Sequence, residues 1–166
     1  MNDSKRLWVV NASPVISLAN IGYANILIEA CNHLVIPQAA EAEMLAGPDN
    51  DLAKQWIMSI GNEYVQDIGT VLPLITGWDL GSGESEVLTW SYQHPSYQAV
   101  LDDFAARKFA QAFEISLCGT IGVIVQAKKL GLVSNIKPLL NELIEMDFRV
   151  DQNLYNTALQ MAGEKL

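Results

Sequence analysis

Residues 7–14 read Leu-Trp-Val-Val-Asn-Ala-Ser-Pro, and this stretch decides the fold. The run 7–10 is apolar and β-prone and stops at Asn11. Pro14 then stands where a first helical turn tolerates a missing N–H, with Ser13 as the expected N-cap. The apolar pattern predicts a helix over 15–30, broken near Gly22. The same strand-to-helix passage recurs along the chain. Strand 33–36 leads through Pro37 into a helix over 38–45, which ends at Gly47-Pro48. Strand 98–101 leads through Asp102-Asp103 into an alanine-rich helix over 105–113. The fragment 116–118 leads through Gly119-Thr120 into a helix over 121–130, closed by Gly131. Further helices are predicted over 52–60, 84–92, 136–145 and 152–162, with a minor strand at Tyr64-Val65 and a glycine-rich loop over 69–83. In the last helix Leu154, Tyr155, Ala158, Leu159 and Ala162 form one stripe, and Asp151 is its expected cap. Strands apolar on both faces and separated by helices predict an α/β fold: a three-layer α/β/α sandwich on a short central parallel sheet of four or five strands. Residues 1–166 are expected to form a single domain of this kind.

Composition narrows the function. Half of the 166 residues are hydrophobic and 17% are charged, which excludes disordered and low-complexity classes. Ten Lys and Arg against 19 Asp and Glu give a net charge of −9. A protein with that field does not adhere to polyanions as a whole, so any nucleic acid must be held by a local basic strip or by bound cations. Cys31 and Cys118 lie in apolar contexts without pairing spacing and read as buried thiols in a reducing compartment. His33 and His94 lack ligand spacing, so a zinc site built on nitrogen and sulfur is not expected. The run 7–10 is too short for a signal-peptide core, and polar residues interrupt 9–34, so a cytoplasmic protein without a membrane span is expected.

In open parallel sheets ligands gather beyond the C-terminal strand ends, and there the acids accumulate. Asn11 and Ser13 follow the first strand, Glu41 and Glu43 the second, and Asp102-Asp103 the third. Asp79, Glu84 and Glu86 surround the start of the helix after the glycine-rich loop. Each has an ordinary explanation: Glu84 and Glu86 complement a helix dipole, Asp102 or Asp103 caps a helix, and Glu41 and Glu43 face solvent. Together they suit a hard cation, because crowded carboxylates are costly without one and Mg²⁺ and Mn²⁺ take oxygen ligands.

The segments VVNASPVISLANIG, VIPQAAEAEM, GSGESEVLTW, VLDDFAARKFAQ and CGTIGVIVQAKKLGLV, in this order, resemble the PIN domain, nearest to a prokaryotic VapC-like subfamily of unknown function; NLYNTALQMAGE resembles that subfamily's last helix. The resemblance spans roughly 7–164. It implies the three-layer fold and a Mg²⁺- or Mn²⁺-dependent single-strand ribonuclease. The family's acids fall on Glu43, Glu84 and Asp102, with Asp103 beside the last. Asn11 stands where the wider family has a first-strand acid. Ser13, Arg107 and Thr120 take the substrate-side positions. The implied metal set is Asn11, Glu43, Glu84, Asp102 and Asp103, and the implied reaction is metal-assisted phosphodiester hydrolysis.

Lys5, Arg6, Arg107, Lys108, Lys128 and Lys129 are the candidate basic contacts to RNA, although Lys128-Lys129 equally reads as the last turn of a helix. Trp78 and Trp90 flank the acidic loop and could stack bases, whereas Trp8 and Trp56 read as core. The resemblance further implies a toxin–antitoxin role with a small antitoxin-like partner over the acids, and a homodimer, for which 26–28 (Ile-Leu-Ile) offers a surface. Asn11 keeps open the alternative of a catalytically weakened PIN-fold module that binds a protein or RNA. An unrelated α/β binding module with a chance set of acids is the third reading.

Overall fold

The computed structural model describes residues 5–166. Leu7–Val10 is strand β1, and Ala12–Asn20 is helix α1. The helix cap lies two residues earlier than predicted: Asn11 occupies the N-cap position and Ser13 lies inside the first turn. The expected break is real, with Gly22 at φ +82°, a left-handed turn that favours glycine. It leaves only a short helix, α2 (Ile26–Glu29), beyond it. Next come β2 (His33–Pro37), α3 (Gln38–Leu45), α4 (Leu52–Ser59) and β3 (Val65–Gln66). The predicted loop contains a helical turn, α5 (Pro73–Thr76), and is followed by α6 (Ser82–Gln93), β4 (Tyr97–Val100), α7 (Phe104–Ala112), β5 (Leu117–Cys118), α8 (Thr120–Lys129), α9 (Lys137–Glu145) and α10 (Gln152–Met161). Asp51, Asp103 and Asp151 cap α4, α7 and α10 by accepting backbone N–H bonds from Lys54, Ala106 and Leu154.

Among the described residues the strands form one sheet in the order β3-β2-β1-β4-β5, with every pair parallel. Strand periodicity divides the core between the two faces. Trp8, Val10, Leu34, Ile36 and Val100 point to one side, against α1, α8, α9 and α10. Val9, Val35, Ala99 and Leu101 point to the other, against α5, α6 and α7. The result is a three-layer α/β/α sandwich. Ile26 and Leu27 belong to the first core and are 4% and 0% exposed, so the expected dimer surface at 26–28 is instead interior packing. The apolar side chains of so short a helix are needed to cover the sheet.

The chain runs outward from β1 through β2 to β3, then returns to the other side of β1 for β4. The strand order therefore reverses between β1 and β4, and a crevice opens where the connections leave in opposite directions. The backbone ladder continues to its lip: Asn11 N donates to Val100 O (3.1 Å) and Leu101 N to Cys118 O (3.0 Å).

Candidate active site

Asn11 is the first residue past β1 and only 1% exposed. An asparagine at an N-cap commonly accepts a bond from its own helix. This one does not. Its Nδ2 instead donates to Glu84 Oε1 at 3.0 Å. Its Oδ1 is buried and has no hydrogen-bond partner among the described residues. A buried acceptor left in that state costs about 1–3 kcal/mol, so the arrangement needs a reason. Glu84 stands in the first turn of α6, where its charge complements the helix dipole.

The glycines of the Gly-Ser-Gly-Glu start serve this contact. A Cβ on Gly83 would collide with Asn11 Oδ1, and one on Gly81 would collide with the Glu84 carboxylate. Glu43, three residues after the buried Ala40 on α3 and next to the buried Met44, brings Oε2 to 3.7 Å from the same Cβ position on Gly83. Partial loss of solvent, and then the negative charge of Glu84, push the Glu43 carboxyl above its ordinary range. The neighbouring Glu86 is tied to structure, accepting from Ala39 N at the start of α3 (3.3 Å). Asp79, at φ +52° in an exposed turn, lies outside this group of contacts.

A second group lies past β4. Asp102 accepts from Thr120 twice, from N at 2.9 Å and from Oγ1 at 2.5 Å. Thr120 is the first residue of α8, whose N-cap is Gly119 without a side chain. Asp102 therefore caps α8 from another element. Arg107 Nη1 donates to Leu101 O at 2.9 Å, and a Cβ on Gly119 would stand 3.0 Å from Asp102 Oδ1 and 3.3 Å from Arg107 Nη1. Asp103 turns away to cap α7, with Oδ2 2.9 Å from Ala106 N. The two adjacent acids thus do different work. Ser13 is exposed on α1, two residues past Asn11. Among the described residues no three His, Cys, Asp or Glu side chains gather as metal ligands. The contacts pair Asn11 with Glu84, leave Glu43 facing Glu84's charge, and bind Asp102 to Thr120.

The other candidates separate clearly. Lys128 and Lys129 stand in the last turn of α8, where Lys128 donates to Ser134 O and lies 3.6 Å from Glu164. Trp8 and Trp56 are core. Trp78 packs edge-on against Phe109, 5.1 Å between centroids, and Trp90 stacks on His94 at 4.0 Å. Burial raises Cys31 to about 11 and Cys118 to about 12, so both thiols stay protonated. Sequence reasoning passed over Phe104, the residue after the acid pair. It is 73% exposed, with Lys108 Nζ 4.7 Å from its ring centroid. An aromatic next to paired acids at a strand end was the signal available.

A family model described as a PIN domain matches residues 7–164. No curated protein matches the chain. Among the described residues, no helix is long and apolar enough to cross a membrane.

Proposed function

We propose that this chain, which belongs to the PIN-domain family, is a divalent-metal-dependent endonuclease that hydrolyses phosphodiester bonds in single-stranded RNA. The carrying observation is the buried, unpartnered Asn11 Oδ1 beside Glu84 and Glu43. An acceptor and two carboxylates, one of them disfavoured as an anion, form a site that gains from a cation. All the donors are oxygen, which suits Mg²⁺ or Mn²⁺, and such ions commonly take one or two carboxylates with water and phosphate completing the shell. Asn11, Glu43 and Glu84 would hold the ion, with Asp102 past β4 as the further acid of the site, while Asp103 serves as the α7 cap. A divalent ion held there would supply a water of lowered pKa and positive charge to offset that of the scissile phosphate.

The chain's own residues do the rest. Asn11 orients Glu84 through Nδ2. Thr120 fixes both oxygens of Asp102, and Arg107 brings a guanidinium to the same point for a phosphate oxygen. Ser13 and Thr120 complete the substrate side, and Phe104 offers an exposed ring for a base. On this reading the protein works in the cytoplasm as a homodimer. A small antitoxin-like protein restrains it by covering the acids.

One feature favours a second reading, a PIN-fold module that binds a partner with weakened or no catalysis. The neutral Asn11 amide already satisfies one Glu84 oxygen, which a first-strand carboxylate would repel. Thermal-shift titration with Mn²⁺ and cleavage of a labelled single-stranded RNA, for the wild type and Asp102→Asn, decide between them. The nuclease reading expects a Mn²⁺-dependent shift, and cleavage that the variant lacks. Absence of both in the wild type gives the site to the binding module.

A further inference from the structure

A cavity of about 620 Å³ opens on the sheet face between β5, α8 and α10, and one end of it is Asp102 with Gly119. Its charge departs from that of the molecule. Four of the ten Lys and Arg line it, namely Arg6, Arg107, Lys129 and Arg149, and among the described residues Asp102 is its single acidic lining residue. Elsewhere 18 acids stand against six Lys and Arg. Lys129 and Arg149 are exposed on the rim, and among the described residues neither forms an ion pair. The floor is apolar on the α10 side, where Leu154 and Met161 of α10 and Phe148 from the α9–α10 connection line it.

Arg6 precedes β1, which pairs in register with β4 from Leu7↔Tyr97 onward. The groove therefore follows β4 from its N-terminal end to Asp102, roughly 15–20 Å at about 3.3 Å per residue.

We infer that this groove is the track along which single-stranded nucleic acid enters the candidate active site, phosphates on the four cations and bases over the apolar floor. The inference rests on the nuclease reading for what happens at Asp102, but not for binding itself. A strip of cations with an apolar bed is the usual means of holding a strand without reading its sequence. It also resolves how a protein of charge −9 can accept a polyanion: the attraction is local, and short-range contacts survive screening that removes the global repulsion beyond about 10 Å. An acidic peptide is the competing occupant. The length of the track and its end at Asp102 favour a strand that must reach that carboxylate.

The test uses Lys129→Gln with Arg149→Gln, and Lys137→Gln with Lys165→Gln as an equal charge change outside the groove. Binding of a labelled short single-stranded RNA is measured by anisotropy in EDTA over a salt series, and cleavage separately with Mn²⁺. The groove variant should lose about tenfold in affinity, and its log–log salt slope should flatten by roughly 1.4, about 0.7 per lost phosphate contact. The Lys137→Gln, Lys165→Gln protein should match the wild type. Wild-type affinity and slope in the groove variant overturn the track, even if the RNA is still cut. So does competition by poly-glutamate that the wild type prefers to RNA. Groove-dependent binding without cleavage by the wild type upholds the track and removes the nuclease reading.

Discussion

Replacing Asn11 by aspartate tests the candidate site at its least ordinary residue. The substitution is nearly isosteric, so packing is unchanged and charge is the variable. At present Nδ2 donates to Glu84 Oε1 across 3.0 Å. In Asn11→Asp an oxygen faces an oxygen there. Two unit charges at that separation repel by about 5.5 kcal/mol at an effective dielectric near 20. The whole of this is not realised, because the new carboxyl can take a proton instead. Protonating an ordinary aspartate at pH 7 costs about 4 kcal/mol, which bounds the penalty.

The metal-free variant should therefore lose about 2–4 kcal/mol, and its Tm should fall by about 4–12 °C at this chain length. A divalent cation between the carboxylates reverses the sign of the interaction. Mn²⁺ should then restore more of the Tm in the variant than it adds to the wild type, and calorimetry should show binding at least tenfold tighter, about 1.4 kcal/mol. RNA cleavage should rise with it. An Asn11→Asp protein as stable as wild type without metal, and no better at binding Mn²⁺, would refute the shared Asn11–Glu84 site.

Asp102→Asn replaces an oxygen that accepts from Thr120 with an N–H₂ group; it should cost about 1–3 kcal/mol in denaturant unfolding and abolish cleavage, with Thr120→Val losing less of both. Glu43→Gln tests the crowding through pH. Because the folded-state pKa of Glu43 lies above its unfolded value, its ionisation weakens the metal-free fold as pH rises through that interval. Glu43→Gln should gain a few tenths of a kcal/mol at pH 7 after solvent screening, and the gain should vanish once pH falls below the unfolded pKa of about 4.3; a constant difference across pH would exclude the effect. Phe104→Ala should leave Tm unchanged, since the ring is 73% exposed, while RNA binding weakens by about 1–3 kcal/mol in a titration; an unchanged affinity removes Phe104 as a stacking platform.

Local patterns carried most of the fold. The run 7–10, the helix 38–45 and the Asp151 cap all depend on residues adjacent in sequence, where periodicity and capping act directly. Ser13 misled because the signals for an N-cap are the same for serine and asparagine. The backbone chose Asn11, whose side chain was engaged by a residue 73 positions away. The segment 26–28 misled because an apolar stretch reads alike whether it meets a second chain or its own sheet.

By itself the sequence determined the alternation of strands and helices, and hence the parallel sheet with its acids at one edge. It also determined the glycines that admit Asn11 and Glu84 to each other. Only the tertiary structure decided how the acids are divided. Asp103 caps its own helix, Asp102 reaches across to Thr120, and Glu43 comes within the field of Glu84. It alone assembled the basic groove, whose four cations lie at 6, 107, 129 and 149. Charges so far apart in sequence become neighbours only through the strand order, which no local periodicity encodes.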